Sequence, residues 1–284
     1  MRRKNGNLLR MELQKAIRNK FFFAALSAGF VFACMSALYN IESFEMLSAE
    51  MKEMAGNPMT QSAGLYNCWI GGESDSLGFA LFYTLLPFLA AVPYGWSYAL
   101  EKKTGYLKMV MVQTGRLPYL MNKYIATFIS GGLVIVLPLV FNILFVACFV
   151  PAIQPEMIYR MYYPVHYGSL WSYLFFEMPA VFSALYLLLD FLFAGLFAVM
   201  GFAVSSCTNS RITAVVTPYF IILALHYGRT LLYHRVYKEL SPLNFLHATC
   251  IENPADAGII LAEGAIILAV TLGIVIGKGR RMEN

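Results

Sequence analysis

The stretch Tyr98–Tyr119, YALEKKTGYLKMVMVQTGRLPY, carries Glu101, Lys102, Lys103, Lys108 and Arg116 between two long and almost uncharged runs. A short charged segment between apolar runs marks a place where a chain leaves a bilayer and re-enters it. The rest of the composition agrees. Of the 284 residues, 59% are hydrophobic and 13% charged, against roughly 25% charged in a soluble domain. Crossing a bilayer takes about 20 mostly apolar residues in a helix. Six runs meet that need: Phe21–Tyr39, Gly78–Leu100, Tyr124–Val150, Pro179–Ser205, Ile212–Tyr227 and Ala257–Ile276. The expected fold is an all-α integral membrane protein with six transmembrane helices, and Pro138 is expected to kink the third.

Lysine and arginine in the loops set orientation, because they are retained on the cytoplasmic side. Seven lie in the N-terminal segment, five between Lys102 and Lys123, one at Arg211 and three after the sixth run, so 16 of the 21 basic residues fall on one side. Both termini are therefore expected in the cytoplasm. Residues 1–20 read as a cytoplasmic amphipathic segment and 21–284 as one six-span membrane domain. Its loops are an outer loop 40–77, a cytoplasmic loop 101–123 and an outer segment 228–256. The N-terminal segment places Leu9, Leu13, Ala16 and Ile17 on one helical face, as a helix lying along the inner leaflet would. A competing reading takes "VFAC", Val31–Cys34, as a lipoprotein cleavage site, but the bulky Phe32 fits poorly there. Within the outer loop, Ile41–Gly56 has the pattern of a short helix. Within the outer segment, "ELSPLNFL" has that of a partly embedded or re-entrant piece, which must be buried in protein or line a wet cavity.

Chemistry-bearing patterns are few. The five cysteines form no C-x-x-C pair, and Cys68 and Cys250 are either a disulfide across the outer face or two free thiols. "GIVIGKG", Gly273–Gly279, is one residue short of a phosphate loop and lacks its Ser/Thr. Gly273 and Gly277 read instead as a small-residue packing face or as helix-end glycines. No metal, nucleophile or paired-carboxylate motif is found, and the basic residues sit where topology needs them, so nucleic-acid binding has no support. Three ionisable residues fall inside runs: Asp190, near mid-run, and His226 and Glu263, both toward the outer end, where they can pair. Intramembrane charges usually face protein or water and mark pathways, so these three are candidate pathway residues.

The opening stretch says most. Gly105 and Gly115 bracket a short helix in which Tyr106, Leu107, Met109, Val110, Met111 and Val112 are apolar. A helix of two or three turns is not stable alone and must lie on lipid or on a partner. The sequences Pro93–Pro138 and Phe193–Phe220, with the pattern E-x-x-[ST]-G-Y just after the second run, resemble the membrane subunits of ABC-2-type transporters.

That resemblance implies a permease subunit, without an ATPase site of its own, that exports a substrate across a bacterial plasma membrane. It implies that ATP and Mg are bound by a separate cytoplasmic ABC ATPase dimer. Glu101–Val112 would be the coupling helix in a groove of that ATPase, with Glu101, Thr104, Gly105, Tyr106, Leu107, Lys108 and Met109 as its contacts. Cys207–Arg211 would make a second, minor contact. A second permease, identical or related, would pair through Gly78–Leu100 and Ile212–Tyr227, with membrane lipid around the pair. Two other readings stand beside it: an ATPase-associated immunity or sensory protein that transports nothing, and a proton-coupled transporter using Asp190 and Glu263.

Overall fold

A computed structural model describes residues 2–53, 64–165, 169–232, 237–249 and 253–281. Every regular element among them is helical. The long helices are α2 (Lys20–Glu53), α6 (Arg116–Ala147), α8 (Pro179–Cys207), α9 (Arg211–Leu232) and α11 (Ala257–Arg281). These five are long and apolar enough to cross a membrane. The shorter helices are α1 (Arg2–Ile17), α3 (Leu77–Ala91), α4 (Ser97–Thr104), α5 (Tyr106–Thr114), α7 (Ser172–Glu177) and α10 (Pro242–Phe245).

The second apolar run is where the structure departs from the expected pattern. Gly78–Leu100 is not one helix but α3, a turn over 92–96 and α4. A helix of 15 residues is about 22 Å long, short of the roughly 30 Å hydrocarbon core. Pro93 supplies no amide hydrogen to continue the ladder. The turn is held by Gly95 N donating to Ala91 O at 3.1 Å, and from outside by Asn19 Nδ2 donating to Pro93 O at 3.1 Å. It buries Tyr94 at the basic end of the bundle, where α1, α4 and the start of α6 meet. The outer loop also differs from expectation: the helix read at Ile41–Gly56 is, as far as Glu53, a continuation of α2.

The pair α6–α8 forms the centre, and small residues let it close. A Cβ built on Gly131 would sit 2.4 Å from the Ala198 Cβ and 2.9 Å from the Ala90 carbonyl, so α3, α6 and α8 converge on the bare backbone there. Gly132 and Gly195 receive the rings of Phe191 and Phe128 in the same way. In lipid, where apolar surface gains nothing by leaving the solvent, such close van der Waals packing is a main source of helix association. Pro138 lies within α6 and packs against α2 at Gly29, whose absent Cβ would fall 2.8 Å from the proline Cγ. Beyond their own helix, Gly273 and Gly277 have no atom within 4 Å of a built Cβ among the described residues.

The stretch Glu239–Leu246 is largely buried in protein. Phe245, Leu246 and Ala248 are buried in the main core, and the Phe245 ring meets Phe193 at 5.2 Å. Glu239 organises the approach: it accepts from Arg229 Nη1 at 2.6 Å and from the backbone amides of Leu240 and Ser241 at 3.1 and 2.9 Å. Ala248 N then donates to Gly71 O at 2.8 Å and ties the segment to the outer loop. There Glu73 accepts from Ser36 Oγ at 2.8 Å and from the hydroxyl of Ser76, which caps α3. Cys68 is buried in this loop, while Cys250 lies outside the described residues.

Replacing Gly131 by alanine should force α3, α6 and α8 apart and cost about 1–3 kcal/mol, the usual penalty of overpacking. Gly273→Ala should leave stability unchanged. Thermal unfolding of the two variants in detergent makes the comparison.

Candidate functional site

At the basic end, Lys123 is fully buried although it carries an ammonium. It sits on the face of α6 that also presents Tyr119 and Thr127, one helical turn to either side. Glu101 of α4 lies 2.6 Å from Nζ and Glu12 of α1 lies 3.5 Å from it. The hydroxyls of Tyr119 and Tyr94 lie at 3.3 and 3.4 Å. Both rings also offer their faces to the ammonium, with centroids at 5.5 and 4.8 Å. Glu12 is itself fully buried; it accepts from Tyr94 at 2.7 Å and from Lys15 Nζ at 2.9 Å. Lys15 closes the set by donating to Tyr106 Oη at 3.0 Å, at the start of α5. The Tyr119 hydroxyl is bonded to the Glu101 carboxylate.

Two carboxylates thus face two ammonium groups, and phenols fill the gaps. The cluster is neutral as a whole, which makes its burial affordable. It fastens four pieces: α1 through Glu12 and Lys15, the turn through Tyr94, α4 through Glu101 and α5 through Tyr106. Burial raises the pKa of Glu12, but the Lys123 ammonium and the hydrogen bonds from Tyr94 and Lys15 outweigh it and hold the carboxyl below its ordinary range. For Lys15, burial works downward, and the bonds to Tyr106 and Glu12 more than reverse it.

This arrangement re-sorts the residues of the opening stretch. Glu101 and Tyr106 are turned inward to Lys123 and Lys15. Leu107, Val110 and Met111 are buried against Leu8, Tyr98 and Leu120. The outward face of α5 is Met109, 67% exposed, and Val112, 87% exposed. Thr104 is exposed and its hydroxyl donates back to Glu101 O. Of Lys108 only the backbone is described. Gly105 has a left-handed φ of 74° with open space around it, so its role is conformational: it turns the chain from α4 into α5. Gly115, at φ 82° and ψ 153°, occupies a region essentially reserved for glycine.

The face of α1 that packs on the bundle is centred on a charged residue. Leu8, Glu12 and Ala16 point inward, while Leu9, Leu13 and Ile17 are half-exposed. Pattern reading passes over Glu12 because a lone acid on an amphipathic helix is normally solvated. The available signal was Lys123, a cation flanked by Met121, Asn122, Tyr124 and Ile125 at the start of a span, which needs an anion from elsewhere in the chain.

The three intramembrane residues occupy separate places. Asp190 is fully buried in α8; Tyr83 Oη donates to its Oδ2 at 3.5 Å, and Oδ1 has no hydrogen-bond partner among the described residues. His226 Nδ1 lies 2.8 Å from Ser241 Oγ. Glu263 is half-buried on α11, with no hydrogen bond among the described residues, and is not joined to His226. Toward the end opposite the basic one, His247 is buried against Phe79 and Tyr83; burial holds its imidazole down to about 4, so it stays neutral.

Lys123→Met leaves Glu101 without its cation and Glu12 with Lys15 alone, and should destabilise the protein by about 3–5 kcal/mol. Adding Glu12→Gln and Glu101→Gln should recover most of that loss in the same thermal measurement. The docking of α1 should also depend on pH at both extremes. Glu12 titrates lower when folded, so its contribution is complete above the ordinary carboxyl value of 4.5 and is lost as pH falls below it. Lys15 titrates higher when folded, so its contribution is complete below 10.5 and is lost above it. Protection of α1 amides, corrected for intrinsic exchange, should hold between those limits and fall outside them. Glu12→Gln should remove the acid limb.

No protein-family model matches this chain, and no curated protein matches it.

Proposed function

We propose that this chain is the membrane-embedded permease subunit of an ABC transporter, driven by a separate cytoplasmic ATPase that holds the ATP and Mg, and working as an exporter in a pair with a second permease. In this reading the basic end faces the cytoplasm, and α3 with α4 makes the sixth crossing. The observation that carries it is the two-faced α5. One side is fixed to the bundle by Leu107, Val110 and Met111, and the other offers Met109 and Val112 to whatever docks there. An exposed apolar pair on a short helix at the basic end suits a helix-in-groove contact.

The charge network gives that contact a mechanical meaning. A push on α5 reaches α1 through Tyr106 and Lys15, and α1 reaches α6 through Glu12 and Lys123. A docked ATPase would therefore move several helices as one body. Glu101 and Tyr106 act in this reading as transmission residues on the permease side, and Met109 and Val112 as the anchors on the ATPase side. The ATPase-associated protein that transports nothing would share the docking contact but give no flux.

The experiment is capture of an ABC ATPase by the tagged chain from its native membrane. The wild type should retain it. Met109→Asp combined with Val112→Asp should abolish retention while the thermal midpoint stays within a degree or two, since both positions are exposed. Retention by that double variant would sink the docking assignment. Substrate flux in vesicles containing both subunits then separates a transporter from an associated protein.

A further inference from the structure

Asp190 lies in the middle of the bundle. Its carboxyl is fully buried, and its neighbours on α8, Tyr186, Leu189, Phe193 and Ala194, all belong to the main apolar core. The long bond from Tyr83 Oη reaches Oδ2, and Oδ1 has no partner among the described residues. The other buried carboxylates among these residues are each answered. Glu12 has Lys15 and Lys123, and Glu239 has Arg229. Glu73 has two hydroxyls and two backbone amides.

The elements packed on α8 bring Asp190 no cation. On α3 the single ionisable residue is Tyr83, and α6 has none beyond Tyr124. On α9, His226 is bonded to Ser241 and Arg229 is paired with Glu239. The contributions of α11 and α7 at the same half of the bundle are themselves acids, Glu263 and Glu177. Tyr186, one turn back on α8, donates to Leu170 O at 3.3 Å. None of these groups forms an ion pair with Asp190 within 4.0 Å among the described residues.

An ionised carboxylate in such a place bears its desolvation cost with almost nothing to offset it. A proton taken up on Oδ1 removes the charge and leaves Oδ2 to accept from Tyr83, at the smaller cost of one unmet hydroxyl. We propose that Asp190 is a proton-binding site that latches α3 to α8: the closed bundle holds it as the carboxylic acid, and parting of the two helices admits water and releases the proton to it. The hydroxyl belongs to α3 and the carboxyl to α8, so wetting the carboxyl also separates the pair. In the closed form the site is sealed. Tyr83 is 3% exposed, and the rings of Phe79 and His247 lie 5.2 and 5.3 Å from its own. The closed bundle thus binds one proton more than the open one. Its advantage is complete below the ordinary aspartate value of about 3.9 and declines as pH rises above it. The latch does not depend on whether the chain transports anything.

The test is infrared spectroscopy of the whole chain in lipid nanodiscs, with isotope-labelled aspartate. The chain has three aspartates: Asp75 is exposed, Asp256 is paired with Lys238, and the third is Asp190. At neutral pH the wild type should show one labelled carboxylic-acid band, slow to shift in heavy water, and Asp190→Asn should lack it. Hydrogen exchange of the α8 amides around Asp190, corrected for intrinsic rates, should report an opening constant that rises by up to tenfold per pH unit. In Asp190→Asn that constant should not change with pH. If the labelled aspartates of the wild type are all ionised at neutral pH, the proposal is overturned, and a further shift of the band with sodium would identify a bound cation instead. An acid band that survives Asp190→Asn overturns it as well, as does a pH slope that the variant shares. The wild-type band is read without any variant, so a poorly folding Asp190→Asn leaves the first outcome decisive.

Discussion

The ammonium of Lys123, buried between Glu12 and Glu101, is the constraint on which the basic end of this protein depends. A cation in that position costs several kcal/mol of lost hydration, and only anions held close by the fold can offset it. The two anions come from opposite directions, one from the N-terminal helix and one from the segment after α3. Their convergence sets where α1 lies, where the chain breaks at Tyr94, and which face of α4 turns inward. The break then makes sense: a continuous helix through Gly78–Leu100 would have no turn there to bring Tyr94 to Glu12.

The opposite end is built by a different device. There, carboxylates cap backbone: Glu73 receives the amides of Asp75 and Ser76, and Glu239 those of Leu240 and Ser241. Each lets a non-helical stretch sit buried with its polar groups satisfied, the condition for irregular backbone packed into a membrane bundle. The two ends therefore differ in kind. The basic end joins separate helices through side-chain charges. The opposite end stitches loop to loop through main-chain bonds. On the proposed reading, force enters at the first end, and the second acts as the fixed frame.

The long apolar helices were legible because hydrophobic run length is a local property, and five of the six runs correspond to helices of sufficient length. So were the two glycines flanking α5, since a tight turn between charged and apolar residues has few other solutions. Glu12 was not legible, because whether a carboxylate on an amphipathic helix is solvated or buried depends on what packs above it. Glu101 and Tyr106 were read as outward contacts for the same reason. Nothing in their own neighbourhood states that a lysine 22 residues after Glu101, and another on the N-terminal helix, will claim them. The outward pair Met109 and Val112 follows only once Leu107, Val110 and Met111 are seen to be buried.

By itself, then, the sequence determined that the chain is helical and apolar enough to lie in a bilayer, with its basic residues at one end and a short two-faced helix among them. Composition and periodicity suffice for that, because they govern transfer to lipid and helix formation residue by residue. Only the tertiary structure decided which charges are buried, which run is broken, and which face of α5 turns outward. Those outcomes belong to pairs of groups far apart in the chain, and a pairing energy exists only once the fold has brought both partners within a few ångströms.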